Sequence, residues 1–263
     1  QRRCRSPALY HWYAIDRQGK NVWRRGQLRR AKGGGKSPTA GALALAELVG
    51  PVCFGGWDEN GDPIGAPQPM PWVDIAGVTQ EQCDNVLDAV RAMSQGEEFR
   101  ETYQLDVGKT RILTADGIGK IVPLTTNAEA KEGRRVTAVF VEESHHLRDG
   151  NGGHALMRVL KRNAAKLGGR ILELTNSYEP GLDSVAEQTD LAWRAQMESG
   201  GPVDILVDTV EAHGVNLGDE QQVRAALAKI YDQAPWIDQE HILAEIFDPG
   251  TTADEARRFY LNV

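Results

Sequence analysis

The segment Arg30-Ala31-Lys32-Gly33-Gly34-Gly35-Lys36-Ser37 brings together the residue types that handle phosphate. Glycines let the backbone curl its amides toward one point, a lysine meets the β and γ phosphates of a nucleotide, and the next hydroxyl can hold magnesium. Gly33, Gly34 and Gly35, followed by Lys36 and Ser37, supply all three, and Lys32 adds a second ammonium close by. The usual spacing has a glycine six residues before the lysine, where this chain has Arg30. Taken alone, Gly-Lys-Ser is also an ordinary surface loop.

A second motif decides between those readings. Thr137-Ala138-Val139-Phe140-Val141-Glu142-Glu143 is an apolar run that ends in two carboxylates. At a strand end, Glu142 can reach magnesium through water and Glu143 can polarise an attacking water. Aspartate is more usual in the place of Glu142, so a longer arm has to be accommodated. Leu174-Thr175-Asn176 is a third strand end, where polar side chains can feel a γ-phosphate or simply make a turn. His145-His146 follows directly on Glu143, but no ligand partners stand at helical or hairpin spacing, which favours a helix-start or core role over a metal role.

Those motifs need a frame. Asn21 to Arg30 alternates as a strand leading into the glycine loop, and Ser37 to Val49 reads as a helix stopped by Gly50-Pro51. Trp72 to Val78, Val136 to Val141 and Ile171 to Thr175 read as buried strands, separated by helices over Glu81 to Gln95 and His154 to Leu167. Residues 54–71 are turn-rich and are expected as a loop, and 101–124 as a β-meander. Residues 7–15 read as a short amphipathic helix. This order implies an α/β fold with a mainly parallel sheet flanked by helices. After residue 180 the expectation is helical: Val185 to Ser199, Glu220 to Asp232, Gln239 to Phe247 and Ala253 to Leu261. The expected division is a nucleotide-binding core over 1–180 and a small helical subdomain over 181–263.

The chain of 263 residues, 41% hydrophobic and 25% charged, excludes a disordered or collagenous protein. Three cysteines, Cys4, Cys53 and Cys83, fit neither a disulfide framework nor a paired zinc motif and point to a reducing compartment. No apolar run is long enough to span a bilayer, so no membrane partner is expected. The net charge of −7 hides an asymmetry: residues 1–36 carry eleven Lys/Arg and one acid, a local +10 on a remainder of −17. For Arg2, Arg3 and Arg5 a solvated terminus is the simpler reading. The cluster from Arg24 to Lys36 points to a polyanion, nucleotide phosphate or DNA.

On these motifs the sequence resembles the large terminase subunit of tailed double-stranded DNA bacteriophages, over most of its length. The resemblance rests on Lys32-Gly33-Gly34-Gly35-Lys36-Ser37-Pro38, Ala42 to Leu48, Ala76-Gly77-Val78-Thr79-Gln80-Glu81-Gln82, Val141-Glu142-Glu143-Ser144-His145-His146, Leu174-Thr175-Asn176 with Pro180-Gly181, and Arg257 to Asn262. It implies a P-loop ATPase motor that uses ATP and Mg2+ to drive double-stranded DNA through the portal protein into a procapsid. The implied partners are the small terminase subunit and further copies of the chain in a ring, in the host cell cytoplasm. Residue by residue, it implies that Lys36 and Ser37 of the Walker A element bind phosphate and magnesium. In the Walker B strand Glu142 supports the metal and Glu143 activates water, while Thr175-Asn176 couples the site to the rest of the motor. Arg134 or Arg135 is the implied arginine that completes a neighbour's site, although both are equally readable as surface charges. Tyr10 to Tyr13 could pack near the adenine. The resemblance implies a nuclease domain beyond the last residue here, so no nuclease activity is expected of this segment. Two other readings stay open: a nucleotide-binding assembly module without turnover, and another helicase-like translocase.

Overall fold

The computed structural model describes residues 11–126 and 132–263. Arg2, Arg3, Arg5, Cys4, Tyr10 and the first four residues of the helix expected over 7–15 lie outside them. Among the described residues ten strands form in chain order: β1 (Arg25–Arg29), β2 (Cys53–Trp57), β3 (Pro63–Ala66), β4 (Trp72–Gly77), β5 (Asp106–Val107), β6 (Ile112–Leu113), β7 (Lys120–Thr125), β8 (Ala138–Glu142), β9 (Arg170–Thr175) and β10 (Ile205–Thr209). The α-helices of three turns or more are α1 (Lys36–Val49), α2 (Gln80–Met93), α4 (Gly153–Leu167), α5 (Val185–Ser199) and α6 (Glu220–Ile230), with the shorter α3 (Glu97–Tyr103) and α7 (Gln239–Ile246).

Eight strands make one sheet in the order β10-β1-β9-β8-β4-β7-β6-β5. From β10 to β7 every pairing is parallel, and only β7-β6 and β6-β5 are antiparallel. All residues of β8 and β9 are buried, as central parallel strands covered on both faces must be. Alternation sends Phe140, Leu172 and Leu174 to the face packed by α1 and α2, with Leu43, Leu48, Val86 and Val90. Val139, Val141 and Ile171 go to the other face, against Leu156 and Leu160 of α4.

Three expectations change. Ile205–Thr209 pairs with β1 as an edge of the core sheet, so the segment after 180 is not wholly helical. The apolar run is short, and its burial comes from β1 and α5 rather than from its own periodicity. The stretch 54–71, expected as a loop, holds nearly all of the β2-β3 hairpin, with Asn60-Gly61 at its turn. In the meander region β5 and β6 are only two residues each, β7 is a full six-residue strand, and Glu97–Tyr103 is a helix. The last helices have their own core, Val223, Leu227, Ile230, Tyr231, Leu243 and Leu261, which closes over Ala31 at the glycine loop. Among the described residues, no helix is long and apolar enough to cross a membrane.

The basic segment is largely neutralised inside the fold. Arg24 pairs with Asp204, Arg29 with Glu211 and Arg30 with Asp208, while Arg25 lies 3.4 Å from Glu173. Four of the arginines read as facing a polyanion therefore tie β1 to acids that come much later in the chain. Lys32 and Lys36 remain directed at the cleft described next.

Candidate functional site

In a parallel sheet the carboxyl ends of the strands share one edge, and here that edge gathers the residues singled out above. β1 delivers the glycine loop, β8 ends in Glu142-Glu143, β9 ends in Thr175-Asn176, and β4 runs into the start of α2. One strand, β9, separates β1 from β8, a gap of about 10 Å at the usual strand spacing. Helix α1 starts at Lys36 and leans over that gap.

Gly33 and Gly35 both adopt φ of +81°, a conformation that only glycine takes without strain. A Cβ on Gly33 would lie 2.7 Å from Ile237, and one on Gly35 2.9 Å from Trp236. Gly34 has no such φ, but its N–H is turned back to Ala31 O. The loop leads straight into α1, with Gly35 as the N-terminal cap, so the unpaired amides of the first turn and its positive end face the cleft. Arg30, the departure from the usual loop, turns away. Its guanidinium bonds Arg29 O and Asp208 of β10, so it does not obstruct the cradle.

Ser37 Oγ donates to Glu142 Oε1 at 2.5 Å. Glu142 is 2% exposed, and its Oε2 is buried without a hydrogen-bond partner. Burial pushes its carboxyl up to about 7, against the Ser37 hydroxyl and the Lys36 ammonium and helped by the charge of Glu143. Burial likewise lowers Lys36 from its ordinary value, while Glu142 and Glu143 oppose that shift. Glu143 has φ of +50° and projects into the cleft, where its Oε2 accepts from Gln82 Nε2 at 2.8 Å. An orphaned buried carboxylate oxygen is unfavourable, and Ser37 and Glu142 would together hold a hard divalent cation that satisfies it. The donor set fits magnesium.

Thr175 and Asn176 join the two motifs. Thr175 O accepts from Arg30 N, and Asn176 Nδ2 donates to Arg30 O, which binds β9 to the root of the glycine loop. Thr175 Oγ1 accepts from His145 N at 3.2 Å and lies 2.9 Å from His145 Nδ1, which binds it to the turn after Glu143. Burial keeps the His145 ring neutral, its pKa pushed down to about 2. His145 is buried at the turn after Glu143, while His146 beside it is exposed.

These side chains line a cleft of about 920 Å3. Lys32 stands at one end with its Nζ 5.8 Å from the Phe259 ring. The indole of Trp236, 62% exposed, forms the adjoining wall and is pinned by Nε1 donating to Gly33 O at 3.0 Å. The sequence reading missed Trp236, Phe259, Gln82 and Asn85, all of which lie at the cleft or on its glutamate. Only the Thr79-to-Gln82 capping pattern carried a signal, and that signal marks a helix start.

The arginines fall elsewhere. Arg134 lies ahead of β8, at the far end of the sheet, where it grips the fully buried Asp74 through two bonds of 2.5 and 3.2 Å. That internal pairing occupies its guanidinium within this chain. Arg135 is exposed and borders a small separate pocket with Trp72 and Leu167. Trp12 and Tyr13 are also remote. Trp12 packs against Gly26, and Tyr13 OH bonds Glu47 at the distal end of α1.

No family model matches the chain. It is 34% identical over 275 residues to the Gene 13 protein of Mycobacterium phage D29, and 33% identical over 277 residues to that of Mycobacterium phage L5. Each match covers 95% of this chain and 46% of the relative, so the chain spans about half the length of the curated relatives it matches. Among solved structures it is similar to the HK97 bacteriophage large terminase, with a TM-score of 0.67 and 13% identity over 92% of this chain and 47% of that one. A variant of the large terminase ATPase domain of Thermus phage P74-26 matches with a TM-score of 0.56 and 11% identity, over 90% of this chain and 88% of that one. The large terminase of a further, thermophilic bacteriophage matches at 0.50 and 9%, over 87% and 52%. At these identities the likeness is one of fold, and the fold is that of large terminase ATPase domains.

Proposed function

We propose that this chain, folded as the ATPase region of a phage large terminase, is the ATP-hydrolysing part of a motor that packages double-stranded DNA. The observation that carries the reading is the 2.5 Å contact between Ser37 and Glu142, which joins the two phosphate-handling motifs at a cleft that Lys36 and Glu143 also line.

In this reading the amides of Gly33, Gly35 and Lys36 and the Lys36 ammonium take the β and γ phosphates, with Lys32 adding charge at the mouth. Ser37 and Glu142 would hold Mg2+, which would neutralise charge building on the phosphates. Glu143, held in the cleft by its left-handed backbone, orients water for attack on the γ-phosphate and takes up its proton. Trp236 and Phe259 offer an apolar wall to the base. Thr175 and Asn176 touch both the loop and the turn after Glu143, so a change at the γ-phosphate is felt along β9. The helices from Glu220 to Leu261, which close on the loop through Tyr231 OH to Lys32 O and Lys32 N to Phe259 O, serve as a lid subdomain. The core they close upon includes β10. Portal protein, small terminase subunit and a ring of further copies are the proposed partners in the host cytoplasm, with Arg135 as the remaining candidate for a group acting on a neighbour.

The test is ATP turnover by the full-length protein with DNA. Lys36→Ala should lose nucleotide binding, and Glu143→Gln should keep binding and lose turnover by a factor of 100 or more, roughly. A parent that binds ATP without turnover dependent on Glu143 sinks the motor reading.

A further inference from the structure

Glu143 owes its place to its own backbone and to one neighbour in the first turn of α2. Its carboxylate has Oε2 2.8 Å from Gln82 Nε2, and its side chain is a third exposed, which leaves it open to the cleft. His146 Nε2 stands 3.9 Å away, and burial lowers its pKa against the opposing charge of Glu143.

Gln82 cannot turn. Its Oε1 accepts from Val78 N at 2.9 Å and Thr79 N at 3.3 Å, while Thr79 Oγ1 accepts from Gln82 N: a capping box at the start of α2. The same geometry fixes the amide orientation, because a flipped amide would set NH2 against two N–H groups and a carbonyl against a carboxylate. The side chain also fills the space beside Gly77, where a Cβ would lie 3.2 Å from both Gln82 Cβ and Oε1. The cap thereby aims one N–H at Glu143 across the gap from β4 to β8.

We infer that Gln82 is a positioning residue for Glu143, its capped amide holding the carboxylate in the orientation that addresses the attacking water. The inference rests on the hydrolase reading above. Helix α2, whose next turn puts Asn85 at the cleft wall, thereby becomes a mechanical input to the reacting end of the site.

Gln82→Glu separates this role from capping. Glutamate serves the capping box as well as glutamine, so α2 and the unfolding temperature should be kept. It has no N–H to give, and it sets a second carboxylate against Glu143. In the full-length protein with DNA, kcat for ATP should fall roughly 10- to 100-fold with KM within about twofold. Gln82→Ala should lower kcat similarly and also lower the unfolding temperature. If Gln82→Glu turns over ATP as the parent does, the positioning role is overturned and Gln82 is a helix cap alone. Glu143→Gln run beside it keeps the failures apart: turnover retained in that variant removes the hydrolase reading itself.

Discussion

Ser37 and Glu142 lie 105 residues apart in sequence and 2.5 Å apart in space. The longer arm of glutamate, where aspartate is more usual, makes this contact. The hydroxyl sits on α1, which rises from β1, and the carboxylate must reach it past the intervening β9.

The same pairing sets a first expectation. Ser37→Ala removes the hydroxyl and leaves Glu142 with two unpartnered oxygens in a buried position. Magnesium-dependent affinity for ATP, measured by isothermal titration with and without the metal, should drop by about tenfold or more. Affinity in the absence of magnesium should change little. Equal losses in both conditions would mean that Ser37 does not serve a metal.

Glu142 gives the protein a pH dependence of known sign. Its folded pKa is raised to about 7 from an ordinary 4.5, chiefly by burial. The neutral acid therefore favours the folded state fully below about pH 4.5, and that stability fades as pH rises through 7. The loss at alkaline pH is up to about 3 kcal/mol by linkage. Urea unfolding of the metal-free protein from pH 5 to 8 should show the parent losing stability relative to Glu142→Gln. Binding of Mg-ATP, which needs the ionised carboxylate, should strengthen over the same range. A constant difference between parent and variant would contradict the raised pKa.

Trp236 provides an optical test of where the base sits. Its indole is exposed yet fixed to Gly33 O, so a stacked purine should quench it. ATP should lower tryptophan emission in the parent, while inorganic tripolyphosphate should not. In Trp236→Phe the ATP response should vanish although binding persists, since the other five tryptophans remain. A response surviving that substitution would place the base elsewhere.

Far from the cleft, Arg170 and Glu47 form a buried pair at 2.8 Å, the guanidinium stacked on Trp12 and Tyr13 at 4.7 Å each. Arg170→Met strands a buried carboxylate and should cost about 3–5 kcal/mol in urea unfolding. The double variant Arg170→Met with Glu47→Leu should cost clearly less than the two single changes summed. Additive costs would show that the pair is not coupled.

What could be read directly from the chain was local. The Gly33-to-Ser37 loop, the apolar strand ending in Glu142-Glu143 and the buried run ending in Thr175 announce themselves, because glycine's φ freedom, strand burial and helix starts are properties of neighbouring residues. The parallel α/β order followed from the same local signals. Residues 205–209 did not announce themselves as a strand, because their burial comes from β1 and α5. The arginines from Arg24 to Arg30 looked like a polyanion surface, since their partners Glu173, Asp204, Asp208 and Glu211 are more than a hundred residues away in sequence. Arg134 looked available until Asp74 was seen to hold it, and Gln82 carried no site role until α2, entered from β4, brought it against the end of β8. Charge and hydrogen-bond capacity are written in the residue, but whether they face a ligand, a neighbour or water depends on which strands lie next to each other. That adjacency is a property of the folded sheet alone.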